Sequence, residues 1–243
     1  MPPAPTRPPA LHGRVFRGSA AVRDGHLTAA QLRSSAWVRL FPDVYCCGSL
    51  PVTHRLRALA ASRILVPGAV VAGTGAATVW GLPLAGPTDD VHLLVRPASR
   101  HGTPRGLRIS RASLTAAEVC ERGRGRLTSP VRTALDLVRN GPLDEAVVVL
   151  DRLVDARIVD LGTVRSAAAA ATGRGCRQAR TAGTLADGLA GSPQETRLRL
   201  LLHRSALPDP VAQFTVRAAG VFVARVDLAW PGRRLAVEAE LAR

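Results

Sequence analysis

The chain has 243 residues, enough for two domains of ordinary size. Its 33 basic residues against 18 acidic give a net charge of +15, and because the chain contains no lysine every basic residue is arginine. That balance suggests attraction to a polyanion, nucleic acid first, although a GC-rich coding sequence would also enrich arginine. The guanidinium fork suits phosphate. With 47% hydrophobic but only 3% aromatic residues, the core must be built from Ala, Val and Leu. Cysteines at 46, 47, 120 and 176 lack zinc-site spacing and read as reduced thiols, which predicts a cytoplasmic protein. No apolar stretch approaches the roughly 20 residues of a membrane span, and the N-terminus lacks a signal core.

Residues 1–9 are proline-rich and predict a disordered tail. Over 10–50 the pattern is one helix and a hairpin. Thr28-Ala29-Ala30-Gln31 is a capping box for a short helix, and Trp37–Leu40 and Val44–Cys46 are β-prone runs around Pro42-Asp43. Residues 10–25, with Gly13, Gly18 and Gly25, predict no helix. A helix followed by a hairpin is the tail end of a winged helix. A helix over 54–66 then carries Arg55, Arg57 and Arg63, and a second runs from Gly75 to Trp80. Strands are expected at Val91–Val95 and Leu107–Ser110, and a capped helix at Ser129–Val138. Residues 142–156 follow as an amphipathic helix, with Ala-rich helices over 163–172 and 175–190. Arg122, Arg124 and Arg126 form a basic cluster, read either as a phosphate contact or as a solvated loop.

The last fifty residues hold an unusual set of carboxylates. Glu195 opens an apolar helix, Asp227 lies in the strand-like run Val221–Trp230, and Glu238 and Glu240 lie in a second run after Pro231-Gly232. An even-length hairpin loop centred on Pro231-Gly232 sets Asp227 opposite Ala236 and Arg225 opposite Glu238. Arg225, Asp227, Glu238 and Glu240 then share one face, whereas an odd loop would separate Asp227 from the glutamates. Carboxylates this close repel unless a proton or cation intervenes, and a hard cation such as Mg²⁺ suits oxygen ligands. Each acid also has a structural explanation: Ser192-x-x-Glu195 is a capping box, and Asp227 can pair with Arg225 or Arg234.

The segments Ser192–Arg199, Leu207–Pro210, Gln213, Arg225–Pro231 and Arg234–Glu238 resemble the very-short-patch-repair-like endonuclease domain of the PD-(D/E)XK superfamily. The resemblance implies Asp227 and Glu238 as Mg²⁺ ligands, Glu195 as the helix acid and a metal-dependent endonuclease activity. Relatives continue with an acid, a glycine and a histidine. Here Glu240 takes the acid's place and Leu241-Ala242-Arg243 follow, and the superfamily's lysine is absent. The expectation is a truncated domain of weak or absent turnover. Leu27–Arg33, Leu40–Tyr45, Ala72–Leu82 and Leu127–Asp136 resemble the abortive-infection type IV antitoxin family, which implies a winged-helix DNA-binding start and a following α/β domain.

These readings predict an α+β protein with four parts after the tail: a degenerate winged-helix-like start over 10–50, a mixed α/β domain over 51–172, a helical linker over 173–191, and a truncated restriction-endonuclease-like α/β domain over 192–243. Expected catalytic residues are Glu195, Asp227, Glu238 and Glu240, with Asp227 and Glu238 on Mg²⁺. Expected DNA contacts are Arg55, Arg57, Arg63, Arg122, Arg124, Arg126 and Arg225. A toxin or other protein is a further expected partner. The alternative is a non-catalytic antitoxin-like regulator or a pseudo-nuclease that docks a partner.

Overall fold

The structure, a computed structural model, describes residues 7–123 and 125–239, so Arg124 and Glu240 lie outside the described residues. The protein is α+β and divides into two units, Met1–Ser129 and Pro130–Arg243.

In the first unit β1 (Val15–Arg17) runs straight into α1 (Gly18–Arg23), followed by a single 3₁₀ turn (Gln31–Arg33) and the hairpin β2 (Trp37–Phe41) and β3 (Val44–Cys47). The sheet order is β1-β3-β2. Helix α1 stands where the glycines predicted none, and its cap comes from far along the chain. Asp43, in the hairpin turn with φ +58°, accepts from the Ser19 N–H at 2.7 Å and the Ser19 hydroxyl at 2.6 Å, and its carbonyl takes the Gly18 N–H at 3.0 Å. Burial works against the Asp43 carboxylate, but these bonds and the Arg17 charge outweigh it and hold the group below its ordinary pKa. The Thr28–Gln31 capping box closes in both directions, at 2.7 and 3.1 Å. The helix it opens lasts only one 3₁₀ turn, because Ser34 is already extended. The tail expected over 1–9 lies outside the described residues up to residue 6, and the Pro8 carbonyl already accepts from Leu11 and His12.

The rest of this unit is a five-stranded mixed sheet with helices. After α2 (His54–Ala60), which widens into a π turn over Ala61–Leu65, come β4 (Val70–Val71), α3 (Gly73–Trp80), β5 (Val91–Val95), β6 (Leu107–Arg111), β7 (Val119–Arg122) and β8 (Gly125–Thr128). The strand order is β6-β5-β4-β8-β7. Val71, Val91, Leu93, Val95, Leu107 and Leu127 pack with Ala58, Ala61, Ala76 and Val79. Alanines on the helices let their backbones approach the branched strand residues closely, which is how a core poor in aromatics fills. Arg122 and Arg126 thus lie in paired strands, with Leu127 fully buried beside Arg126.

The second unit packs α4 (Pro130–Val138), α5 (Leu143–Asp155), α6 (Leu161–Ala170), α7 (Cys176–Leu185) and α8 (Pro193–His203), and ends in the antiparallel sheet β9 (Val211–Ala218), β10 (Val221–Trp230) and β11 (Leu235–Val237), in the order β11-β10-β9. The division falls between Ser129 and Pro130, upstream of the linker expected over 173–191. The reason is Asp151 of α5, which has no exposed surface. One of its oxygens accepts the N–H groups of Asp187 and Gly188 at 3.0 and 2.9 Å, and the other accepts from the Thr196 hydroxyl at 2.9 Å and Arg199 at 2.8 Å. The expected linker is therefore hydrogen-bonded to α5 on one side and joined through the same carboxylate to α8. Gly188 is required here: its φ is +68°, and a Cβ would stand 2.4 Å from Val154 Cγ1. Arg197 with Glu145 and Arg204 with Asp144 add ion pairs between α8 and α5 at the surface. Among the described residues no helix is long and apolar enough to cross a membrane.

Candidate functional site

The carboxylates gather at the junction of α8 with the C-terminal sheet. Ser192 caps α8 by accepting the Glu195 N–H at 3.2 Å, with Pro193 in the first turn, so one half of the expected capping box forms. It does not exhaust the residue. Glu195 Oε2 accepts the Gly191 N–H at 2.9 Å and the Gln213 side-chain amide at 2.9 Å, which turns the carboxylate toward β9 and the residues paired with it.

The hairpin that carries the other acids has an even loop, but it is shifted by one position. Leu228 pairs with Val237, Ala229 with Ala236 and Trp230 with Leu235. The loop is a 3₁₀ turn over Pro231–Arg233 plus Arg234 in the left-handed region, four residues rather than a two-residue turn at Pro231-Gly232. Continuing this register by one pair puts Glu238 opposite Asp227, closer than the diagonal placement expected from the sequence. The Ala239 N–H donates to Asp227 Oδ2 at 2.9 Å. Loss of hydration, then the Asp227 charge and a hydrogen bond shared with that residue, then the Glu195 charge, together push the Glu238 carboxyl above its ordinary range. Glu195, Asp227 and Glu238, from three different segments, thus feel one another.

The cleft lined by Glu195, Asp227, Gln213, Arg199, Asp187 and Leu228 encloses about 10 Å³, space for an ion or a single water and not for a nucleotide. Arg199 is the guanidinium in its wall, one helical turn beyond Glu195. It is already committed to Asp151, to Asp187 at 3.0 Å and to the Leu185 carbonyl at 2.6 Å. Arg225 is exposed on β10, on the same face as Asp227. A hard divalent cation suits an all-oxygen donor set under mutual repulsion, and Asp227 and Glu238 are the residues that would hold it, with Glu195 in the same cleft as Asp227. Among the described residues no group of three or more His, Cys, Asp and Glu is placed to hold a metal ion as it stands, so binding would require the carboxylates to close in.

The arginines expected on DNA have different fates. Arg57 is buried: it donates to the carbonyls of Pro87 and Asp89 at 2.7 and 2.6 Å and covers the Phe41 ring at 5.1 Å. A guanidinium so enclosed is a structural clasp, and the basic stripe on α2 is partly internal. Arg55 donates to the Val79 carbonyl at 2.8 Å. Arg126 donates to the Gly68 carbonyl at 3.2 Å, and Arg122 lies over the Trp80 ring at 5.2 Å. Arg63 and Arg122 are exposed. A cleft of about 760 Å³ in the same unit is floored by Val70, Leu94 and Val119 and flanked by Arg96 and Arg126.

His92 forms a group the sequence did not single out. Arg108 approaches its Nδ1 at 2.9 Å and Ser110 Oγ its Nε2 at 3.0 Å. Arginine only donates, so Nδ1 accepts and Nε2 carries the proton that goes to the Ser110 oxygen. An imidazole in that tautomer cannot take the Ser110 proton, so the pair is not an activated nucleophile. Burial, with Arg108 adding to it, lowers the His92 pKa to about 4.

Two proteins of Mycobacterium tuberculosis are similar over most of the chain: uncharacterized protein Rv2248 of strain H37Rv and uncharacterized protein MT2308 of strain CDC 1551. Each is 31% identical over 213 residues, which is 86% of this chain and 76% of theirs. The chain belongs to their family. No protein-family model matches the chain. The crystal structure of the RV2827C protein from Mycobacterium tuberculosis aligns over 85% of this chain and 82% of its own, with 17% identity and a TM-score of 0.46, a likeness too loose to support an argument.

Proposed function

We propose that the protein acts on DNA in the cytoplasm, and that its second unit ends in an endonuclease-like, Mg²⁺-dependent site of weak turnover. The observation that carries this reading is the meeting of Glu195, Asp227 and Glu238, where loss of hydration and then the two neighbouring carboxylates raise the Glu238 pKa. When bound, a divalent cation would supply an activated water and stabilise charge developing on phosphate. The chain's own residues have narrower tasks. Asp227 and Glu238 hold the cation, Glu195 closes the site from α8, and exposed Arg225 meets the backbone phosphate. Weak turnover follows because the one guanidinium in the wall, Arg199, is fixed by Asp151 and Asp187 and cannot follow a moving charge. Four free cysteines agree with a reducing compartment.

The second reading is a non-catalytic, antitoxin-like DNA-binding regulator with a toxin or other protein as partner. It is favoured by the first unit, where β1-β3-β2 with two helical segments between β1 and β2 resembles a winged helix. One set of measurements separates the two. Purified protein is titrated with duplex DNA across salt, then incubated with plasmid and single-stranded DNA plus Mg²⁺ or Mn²⁺. The expected outcome is binding whose log affinity falls linearly with log salt, by about 0.9 per phosphate neutralised, and slow cleavage abolished by Asp227→Ala and by Glu238→Ala. DNA binding without any cleavage supports the regulator. No binding at low salt sinks both.

A further inference from the structure

Five described residues other than glycine have positive φ, and four of them sit in turns or just past a helix end: Asp43, Arg157, Ala219 and Arg234. The fifth, Gln213, lies inside strand β9 with φ +53°. Its neighbours keep their ladder partners, Ala212 with Leu228 and Phe214 with Val226, so Gln213 stands across from Asp227. The left-handed conformation is costly for any side-chain-bearing residue and interrupts the strand at that one position. Hairpin geometry does not require it there, because the β9–β10 turn begins six residues on, at Ala219-Gly220. What the kink does achieve is visible in the side chain: the Gln213 amide donates to Glu195 Oε2 at 2.9 Å.

We infer that Gln213 is a positioning residue, whose strained backbone aims its amide at Glu195 and so fixes the helix carboxylate in the cleft it shares with Asp227. The inference rests on the metal-site reading above for its purpose, but not for its test. A kink serving only sheet shape would be met at least as well by glycine, which adopts φ +53° without cost. Glutamine there adds only the amide.

The test uses the full chain and four proteins: wild type, Gln213→Gly, Glu195→Ala and the double variant, with Gln213→Ala as a fifth that keeps the strain and loses the amide. Two quantities are read, the melting temperature and Mn²⁺ affinity by electron paramagnetic resonance. Gln213→Gly should melt above Gln213→Ala, because it relieves the backbone. Its Mn²⁺ affinity should nonetheless fall about tenfold, as outer-shell partners of metal ligands commonly cost. In the Glu195→Ala background the same substitution should change affinity little, since its target is already gone. Additive losses of affinity, or wild-type affinity in Gln213→Gly, would overturn the inference. If the wild-type chain takes up no Mn²⁺, the metal reading fails. The melting temperatures of the same four proteins then decide Gln213: non-additive shifts uphold its coupling to Glu195 and additive shifts refute it.

Discussion

Replacing Asp151 by alanine should loosen the second unit more than any other single change on α5. The side chain is fully buried, is paired with Arg199 and accepts four hydrogen bonds from two segments, Asp187-Gly188 and helix α8. Removing one partner of a buried ion pair costs about 3–5 kcal/mol, because the other charge is left uncompensated. Arg199 retains Asp187 at 3.0 Å, which pulls the figure toward the lower end. The stranded N–H groups of Asp187 and Gly188 pull it back up, at about 1–3 kcal/mol for each that water cannot reach. A net loss of about 4 kcal/mol in a unit of this size corresponds to a fall in Tm of about 10–20 °C. Asp151→Asn should be milder, at about 2 kcal/mol, since its oxygen can still serve Asp187 and Gly188 while its amide confronts Arg199. Calorimetry or circular-dichroism melts provide the measurement, with the exposed pair Arg197–Glu145 as control, where either alanine variant should cost less than about 1 kcal/mol. A Tm for Asp151→Ala within about 3 °C of wild type would show that the network is ornamental.

Two further outcomes follow from the first unit. The folded protein holds His92 neutral down to about 4, whereas the unfolded chain protonates it near 6.5. Between those values the unfolded chain binds more protons, so the His92 contribution is whole above about 6.5 and lost as pH falls through about 4. His54, its charge also disfavoured by burial, acts in the same direction. His92→Asn should therefore flatten the dependence of Tm on pH across that window without abolishing it, and an unchanged slope would refute the assignment. Arg57→Ala should lower Tm, by about 1–3 kcal/mol of stability, because the Pro87 and Asp89 carbonyls lose their donor. Arg63→Ala should leave Tm in place and weaken DNA binding at low salt, and the opposite pattern would restore Arg57 to the surface.

What could be read from the sequence was what depends on local chemistry. The hairpin around Pro42-Asp43, the Thr28–Gln31 cap and helices α4 and α5 follow from turn residues and a 3.6-residue period. What could not be read depends on partners distant in the chain. Helix α1 survives its glycine because Asp43 caps it from the hairpin. Strand β4 is two residues long and has no pattern of its own, while β7 and β8 are hidden by an arginine-rich alternation that looks like a loop. Arg57 carries the same letters as a solvated basic stripe, and only the fold shows that loop 86–90 closes over it. Asp151 is one of four acids on an amphipathic helix, with nothing local to mark it as a hub. For the carboxylate site, period two fixed the common face but not the pairing, and the strain at Gln213 has no sequence signature at all.

The shifted hairpin has a consequence for how this family can change. A strand that moves along its neighbour by an even number of residues returns every side chain to the side it left. A slip of two at Pro231–Arg234 therefore keeps Glu238 on the side of Asp227, diagonal to it instead of opposite. A single insertion taken up by the strand, with the turn kept at four residues, would send Glu238 to the far side of the sheet while leaving the fold intact. Lengths of this turn among relatives that keep the acids should thus differ by even steps, and a relative with an odd step should be free to have lost Asp227 as well.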